Sequence, residues 1–153
     1  MLLYLMRHGQ AASKLEDPAG GLSALGRADI ERLAYSLAAR GIYFDHVIHS
    51  PKTRAAQTAL IMRTTISPKS TVRMEEHVKP NDNPDIILAE LENWRQPTLV
   101  VGHLPFMPSL VRLLTGPNET TSAIDFEPGT VVCLQRGEGN KWPIEWVSSP
   151  SML

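Results

Sequence analysis

The chain has little cysteine and no charge excess to speak of. Its one cysteine in 153 residues is Cys133. An intramolecular disulfide is therefore excluded, and a reducing compartment suits the composition. The formal net charge is −1, from 15 Lys+Arg against 16 Asp+Glu. Such a balance gives no whole-surface attraction to nucleic acid or anionic lipid. No apolar run approaches the ~20 residues of a membrane span. Met1 to Met6 is apolar, but no basic segment precedes it and Arg7 cuts it short, unlike a secretory signal. A metal set is missing too: His46 and His49 stand three apart in a predicted strand, on opposite faces, and cannot share an ion. Gly137-Glu138-Gly139-Asn140-Lys141 has glycines and a lysine without the spacing of a nucleotide-binding loop. These absences lead to the expectation of a soluble, cytoplasmic protein with no metal, no cofactor, no nucleic-acid partner and no membrane partner.

What is present fits one α/β domain over residues 1–153, long enough for a sizeable core at 42% hydrophobic residues. The apolar run at 2–7 reads as a buried strand. A polar loop follows over 11–21. Ser23 then N-caps a helix whose apolar face is Leu25, Ile30, Leu33, Ala34 and Leu37, and Gly41 stops it. A second strand is expected over 44–49. Ser50 and Pro51 read as the N-cap and first residue of a helix reaching about Met62. The stretch from 64 to 84 holds a short strand near Val72. Asn83-Pro84 starts a helix with Ile86, Ile87, Leu88 and Leu91 inward. A strand over 98–101 runs into Gly102-His103. Pro105 opens the next helix and Gly116-Pro117 closes it. Residues 130–135 and 144–147 read as a hairpin, with Pro143 marking an edge. Alternating strands and helices predict a three-layer arrangement, a mainly parallel sheet flanked by helices.

Three predicted strand ends deliver polar groups: Arg7 and His8 from the first, Arg54 after the second, His103 after the strand at 98–101. In a parallel sheet such ends share one edge, where ligands bind. Two helix N-termini add backbone N–H groups there. Two guanidiniums and two imidazoles suit a doubly charged oxyanion. Arginine recognises phosphate through a planar, permanently charged fork. A histidine can serve as nucleophile, base or proton donor. Arg54 in a helix's first turn opposes the helix dipole, which favours an anionic partner for it. Cys133, Trp94, Trp142 and Trp146 read as packing residues, and His46, His49 and His77 as structural or exposed ones.

Leu5-Met6-Arg7-His8-Gly9, Ser50-Pro51-Lys52-Thr53-Arg54-Ala55-Ala56-Gln57-Thr58-Ala59 and Val101-Gly102-His103-Leu104-Pro105 resemble, in order, the signatures of the histidine phosphatase superfamily. The short chain, Gly102-His103-Leu104-Pro105 and Leu22-Ser23-Ala24-Leu25-Gly26 are most similar to SixA-type phosphohistidine phosphatases. The resemblance implies a phosphoglycerate mutase-like fold and a phosphatase in which His8 attacks phosphorus. Arg7, Arg54 and His103 would hold the phosphoryl oxygens, and Gly9 would let the backbone turn without crowding the nucleophile. The implied substrate is phosphohistidine on a partner protein, such as a histidine-containing phosphotransfer domain or a phosphocarrier. A phosphomonoesterase for a small metabolite or nucleotide and a non-catalytic phosphate-binding adaptor are the alternatives. The general acid stays open among Asp17, Glu75, Glu76 and His77.

Overall fold

A computed structural model describes residues 1–116 and 123–153. In β1 (Leu2–Arg7), Leu3, Tyr4, Leu5 and Met6 are each no more than 2% exposed. The unbroken apolar run is what a strand covered on both faces requires. There follow α1 (Ala24–Ala39), β2 (His46–His49), α2 (Thr53–Ile66), β3 (Thr71–Met74), α3 (Asp85–Leu91), β4 (Thr98–Gly102), α4 (Phe106–Thr115), β5 (Val131–Gln135) and β6 (Ile144–Ser148). Short 3-10 turns lie at Glu76–Val78 and Pro150–Met152. The strands form a sheet in the order β3-β2-β4-β1-β5-β6. The first four are parallel, whereas β5 runs antiparallel to β1 and to β6.

The sheet separates two cores. On one face α1 and α2 supply Ile30, Leu33, Leu37, Ala55, Ala59 and Met62 against Tyr4, Met6, Val47 and Val101. On the other, α3 and α4 supply Ile87, Leu91, Phe106, Met107 and Leu110 against Leu3, Leu5, Ile48 and Val100. Each of the larger aliphatic, Phe and Met side chains contributes about 1.5–3 kcal/mol by leaving water. The three-layer α/β expectation holds, with the sheet mixed because β5 of the C-terminal hairpin runs against the other strands.

Several local expectations are corrected. The buried stripe of α1 is Gly26, Ile30, Leu33, Ala34 and Leu37, and Leu25 is exposed. Helical spacing puts Gly26 on the inward side, where a Cβ would come within 2.1 Å of the Gln10 carbonyl oxygen. Ser23 caps α1 as expected, accepting from the Gly26 N–H at 2.9 Å. β2 starts at His46, because Phe44 gives its N–H to Ser67 Oγ instead of a strand. α2 begins at Thr53 behind Lys52, so Ser50 is not its cap, and the helix runs on past Met62 to Ile66. Ile86 is exposed on α3 while Ile87 and Leu91 pack inward. Pro117 lies outside the described residues. No helix among the described residues is long and apolar enough to cross a membrane.

Candidate active site

β2, β4 and β1 lie side by side and end level, His49 opposite Val101 and Gly102 opposite Arg7. Pairing continues one residue beyond each end: the Ser50 N–H donates to the Val101 carbonyl at 3.1 Å, and the His8 N–H to the Gly102 carbonyl at 3.0 Å. Ser50, His103 and His8 therefore form a row across three strands, with His103 in the middle. The His8 and His103 ring centroids are 5.0 Å apart.

His8 donates Nδ1–H to the Gly9 carbonyl at 2.7 Å, which leaves Nε2 with its lone pair. That lone pair meets Arg54 Nε at 3.3 Å. The contact is long, and a charged phosphoryl oxygen is a stronger acceptor for the same guanidinium. Arg7 gives an N–H to the Phe126 carbonyl at 2.8 Å, while its Nε is buried without a partner among the described residues. His103 Nε2 lies 2.7 Å from Ser50 Oγ, and His103 Nδ1 is buried with no partner among the described residues. All four side chains named from sequence thus meet at one edge. The N-termini of α2 and α4 reach the same edge, and neither N-cap residue makes a side-chain capping bond.

The electrostatics follow from this crowding. Burial, with Arg54 and Arg7 nearby, brings the His8 pKa down to about 4 despite the Gly9 carbonyl. Burial first, then His8, Arg54, Lys52 and Arg7, brings His103 down to about 3. Both imidazoles are neutral near pH 7, and the guanidiniums stay charged. The arrangement can hold a tetrahedral dianion with a bare imidazole nitrogen beside it. No group of three or more His, Cys, Asp or Glu suited to a metal occurs among the described residues.

A family profile described as histidine phosphatase superfamily, branch 1, matches residues 3–79, taking in His8 and Arg54. The chain belongs to the histidine phosphatase superfamily. An uncharacterised protein of the cyanobacterium Picosynechococcus is 32% identical over 113 residues, 69% of this chain and 67% of that one. The structure of the protein histidine phosphatase SixA complexed with tungstate superposes with a TM-score of 0.86 at 24% identity, covering 99% of this chain and 98% of that one. A phosphoserine phosphatase of Entamoeba histolytica, in complex with phosphoserine, gives a TM-score of 0.74 at 15% identity over 99% of this chain and 98% of its own. At these identities the structural likeness is one of fold. Membership in the superfamily makes this chain a phosphatase.

Within this histidine phosphatase, three residues matter in ways the sequence reading did not assign. Thr58 Oγ1 accepts the Gly9 N–H at 3.0 Å and donates to the Arg54 carbonyl at 2.8 Å, tying the nucleophile's loop to α2. Gln57 Oε1 accepts the Leu22 N–H at 2.7 Å and anchors the loop at 11–21. Ser50 faces His103 instead of capping a helix. Thr58 lies four residues after Arg54, one helical turn on, and that spacing was the available signal. Gly9 fills a different need from the one expected. Its φ is not in the left-handed region, and a Cβ there would lie 2.7 Å from Ile30 Cγ1. The glycine lets α1 approach the strand end.

The three carboxylate candidates for the acid are engaged. Both Asp17 oxygens accept backbone N–H bonds, from Ala19 at 3.0 Å and Gly21 at 2.9 Å. Glu75 is buried, which alone would raise its pKa. Its ion pair with Arg73 at 2.8 Å and the His77 N–H outweigh that and lower it. Glu76 pairs with Lys79 at 3.2 Å. His77 is exposed.

Proposed function

We propose that the protein hydrolyses phosphohistidine on a partner protein through a phosphohistidine intermediate on His8. His8 Nε2 attacks phosphorus in line, and the phosphorus–nitrogen bond of the substrate breaks. The leaving imidazole takes a proton on its distal nitrogen and departs neutral. Water then attacks the phosphorus of phospho-His8 and releases inorganic phosphate. Arg7, Arg54 and His103 hold the equatorial oxygens, where charge accumulates in the transition state.

The observation that carries this reading is the Gly9 carbonyl on His8 Nδ1, which aims a bare Nε2 into a cationic corner. The choice of a phosphorus–nitrogen bond rests on the acids. An alkoxide needs a proton as it leaves, and among the carboxylate candidates Asp17 and Glu75 have both oxygens in bonds and Glu76 has one. A folded partner fits the surroundings: Leu15 is 99% exposed on the loop at 11–21, and Leu104 is 40% exposed beside His103. Such a partner would be a histidine-containing phosphotransfer domain or a phosphocarrier. Phosphoester hydrolysis is the second reading, favoured by a structural match of equal coverage, at a lower TM-score, to a phosphoserine phosphatase.

The test is a side-by-side assay of a phosphohistidine protein and a panel of small phosphate esters. Faster turnover of the phosphoprotein at equal concentration is expected. Acid-labile phosphate should be trapped on the wild type and lost in His8→Ala. Preference for the esters would reverse the substrate assignment. Absence of any trapped or released phosphate would remove the proposal.

A further inference from the structure

Ser50 is wholly buried, so each hydrogen-bonding element of its hydroxyl has to be accounted for. A hydroxyl has one hydrogen and two lone pairs. One lone pair accepts the Lys52 N–H at 3.3 Å. The other contact of Oγ is His103 Nε2, at 2.7 Å, and the described residues offer the hydroxyl no further acceptor. Were the proton of His103 on Nε2, it would fill the second lone pair and leave the serine hydrogen buried without an acceptor. With Nε2 bare, the serine donates to it and its hydrogen is satisfied, leaving only one lone pair unused, which costs less than an orphaned buried donor. The proton of a neutral His103 then sits on Nδ1, the buried nitrogen that finds no partner among the described residues.

We propose that Ser50 is a positioning residue that holds His103 in the Nδ1–H tautomer, so that His103 donates this N–H to a phosphoryl oxygen. The inference deepens the phosphatase reading of the same site and rests on it. It makes the two imidazoles complementary. His8 is held by a carbonyl on Nδ1 and presents a lone pair to phosphorus. His103 is held by a hydroxyl on Nε2 and presents a hydrogen to oxygen. The opposite tautomer of His103 would turn a lone pair toward an anion. Burial keeps both rings neutral at pH 7, so neither arrangement depends on an extra proton. Sheet order makes the contact possible, since His103 follows β4, which lies between the strands that lead to Ser50 and to His8.

Long-range proton–nitrogen spectra of the full chain, free of ligand at pH 7, read the tautomer directly. The His103 signals are assigned by their loss in His103→Asn. A protonated Nδ1 and a bare Nε2 are expected in the wild type. A protonated Nε2 there overturns the proposal, whatever the protein hydrolyses, and no variant has to fold for that result. Ser50→Ala should shift His103 toward Nε2–H and weaken binding of inorganic phosphate about tenfold, the effect of losing one hydrogen bond to a charged group. Ser50→Thr should keep the tautomer and restore most of the affinity. Unchanged phosphate affinity in a folded Ser50→Ala contradicts the role. If the tautomer and phosphate responses are as expected while no substrate is turned over, the functional reading fails and the role of Ser50 stands.

Discussion

At the N-terminal end of β2, His46 is bonded through both ring nitrogens, to Thr71 Oγ1 at 2.6 Å and to Gln96 Oε1 at 2.7 Å. At the opposite end of the same sheet, among the described residues, His103 has one nitrogen on Ser50 and one with no partner, and His8 Nε2 meets only a long contact from Arg54. The residue type is the same and the sheet is the same. The difference lies in how completely the polar groups are used. Where neighbouring side chains fill an imidazole, it ties an edge strand to a loop. Where one side stays open beside guanidiniums, it is set up to meet an anion.

Deleting imidazoles should separate the two ends most widely. Loss of the nucleophile in His8→Ala should cut turnover by about 10,000-fold or more. His46→Gln should stay within about threefold of wild type, since its ring contacts lie at the far end of β2 from the groups that carry the chemistry. Comparable losses from both substitutions, in proteins shown by circular dichroism to be folded, would erase the contrast.

Arg54 comes next. Arg54→Ala should lower kcat/KM by roughly 100–1000-fold, the usual effect of removing one donor to developing charge. Arg54→Lys should recover only part of it, because an ammonium lacks the planar fork. Full recovery by lysine would show that the site needs charge without geometry.

The pH dependence is smaller. The unfolded chain binds protons on its histidines below about pH 6.5. The folded protein resists this at His8 until about pH 4, chiefly through burial. Between these values the unfolded state holds more protons, so stability is full above pH 6.5 and declines as pH falls toward 4. The loss should be on the order of 2 kcal/mol from His8. Urea midpoints from pH 7 to 4.5 should fall less steeply in His8→Asn than in wild type. Parallel slopes would mean that His8 is solvated and ordinary.

The smallest effect concerns Glu75. Glu75→Gln should change turnover of a phosphohistidine protein by less than about threefold, because Arg73 and the His77 N–H already hold this side chain as a carboxylate. A much larger loss would make Glu75 a proton donor and move the substrate assignment toward esters.

Much of the site was legible in the chain because its polar residues break apolar runs at particular places. Arg7 and His8 interrupt a buried strand, and His103 follows another at Gly102. Ser50 was misread for a physical reason: Ser-Pro before an Ala-rich helix is also a good N-terminus, and local pattern cannot tell a capping hydroxyl from one that faces a neighbouring strand. The deciding fact is the order β2-β4-β1, which comes from crossovers and not from any short segment. Thr58 was hidden in the same way, since its partner Gly9 is 49 residues distant. The antiparallel direction of β5 relative to β1 was equally invisible, because a strand buried on both faces reads the same in either direction.

Convergence of Arg7, His8, Arg54 and His103 on one tetrahedral anion is most directly tested by a crystal structure with vanadate bound. Vanadium within covalent reach of His8 Nε2 is expected, with its oxygens on both guanidiniums and on His103 Nδ1. An anion seated elsewhere, or at His8 with either arginine or His103 turned away, would contradict it.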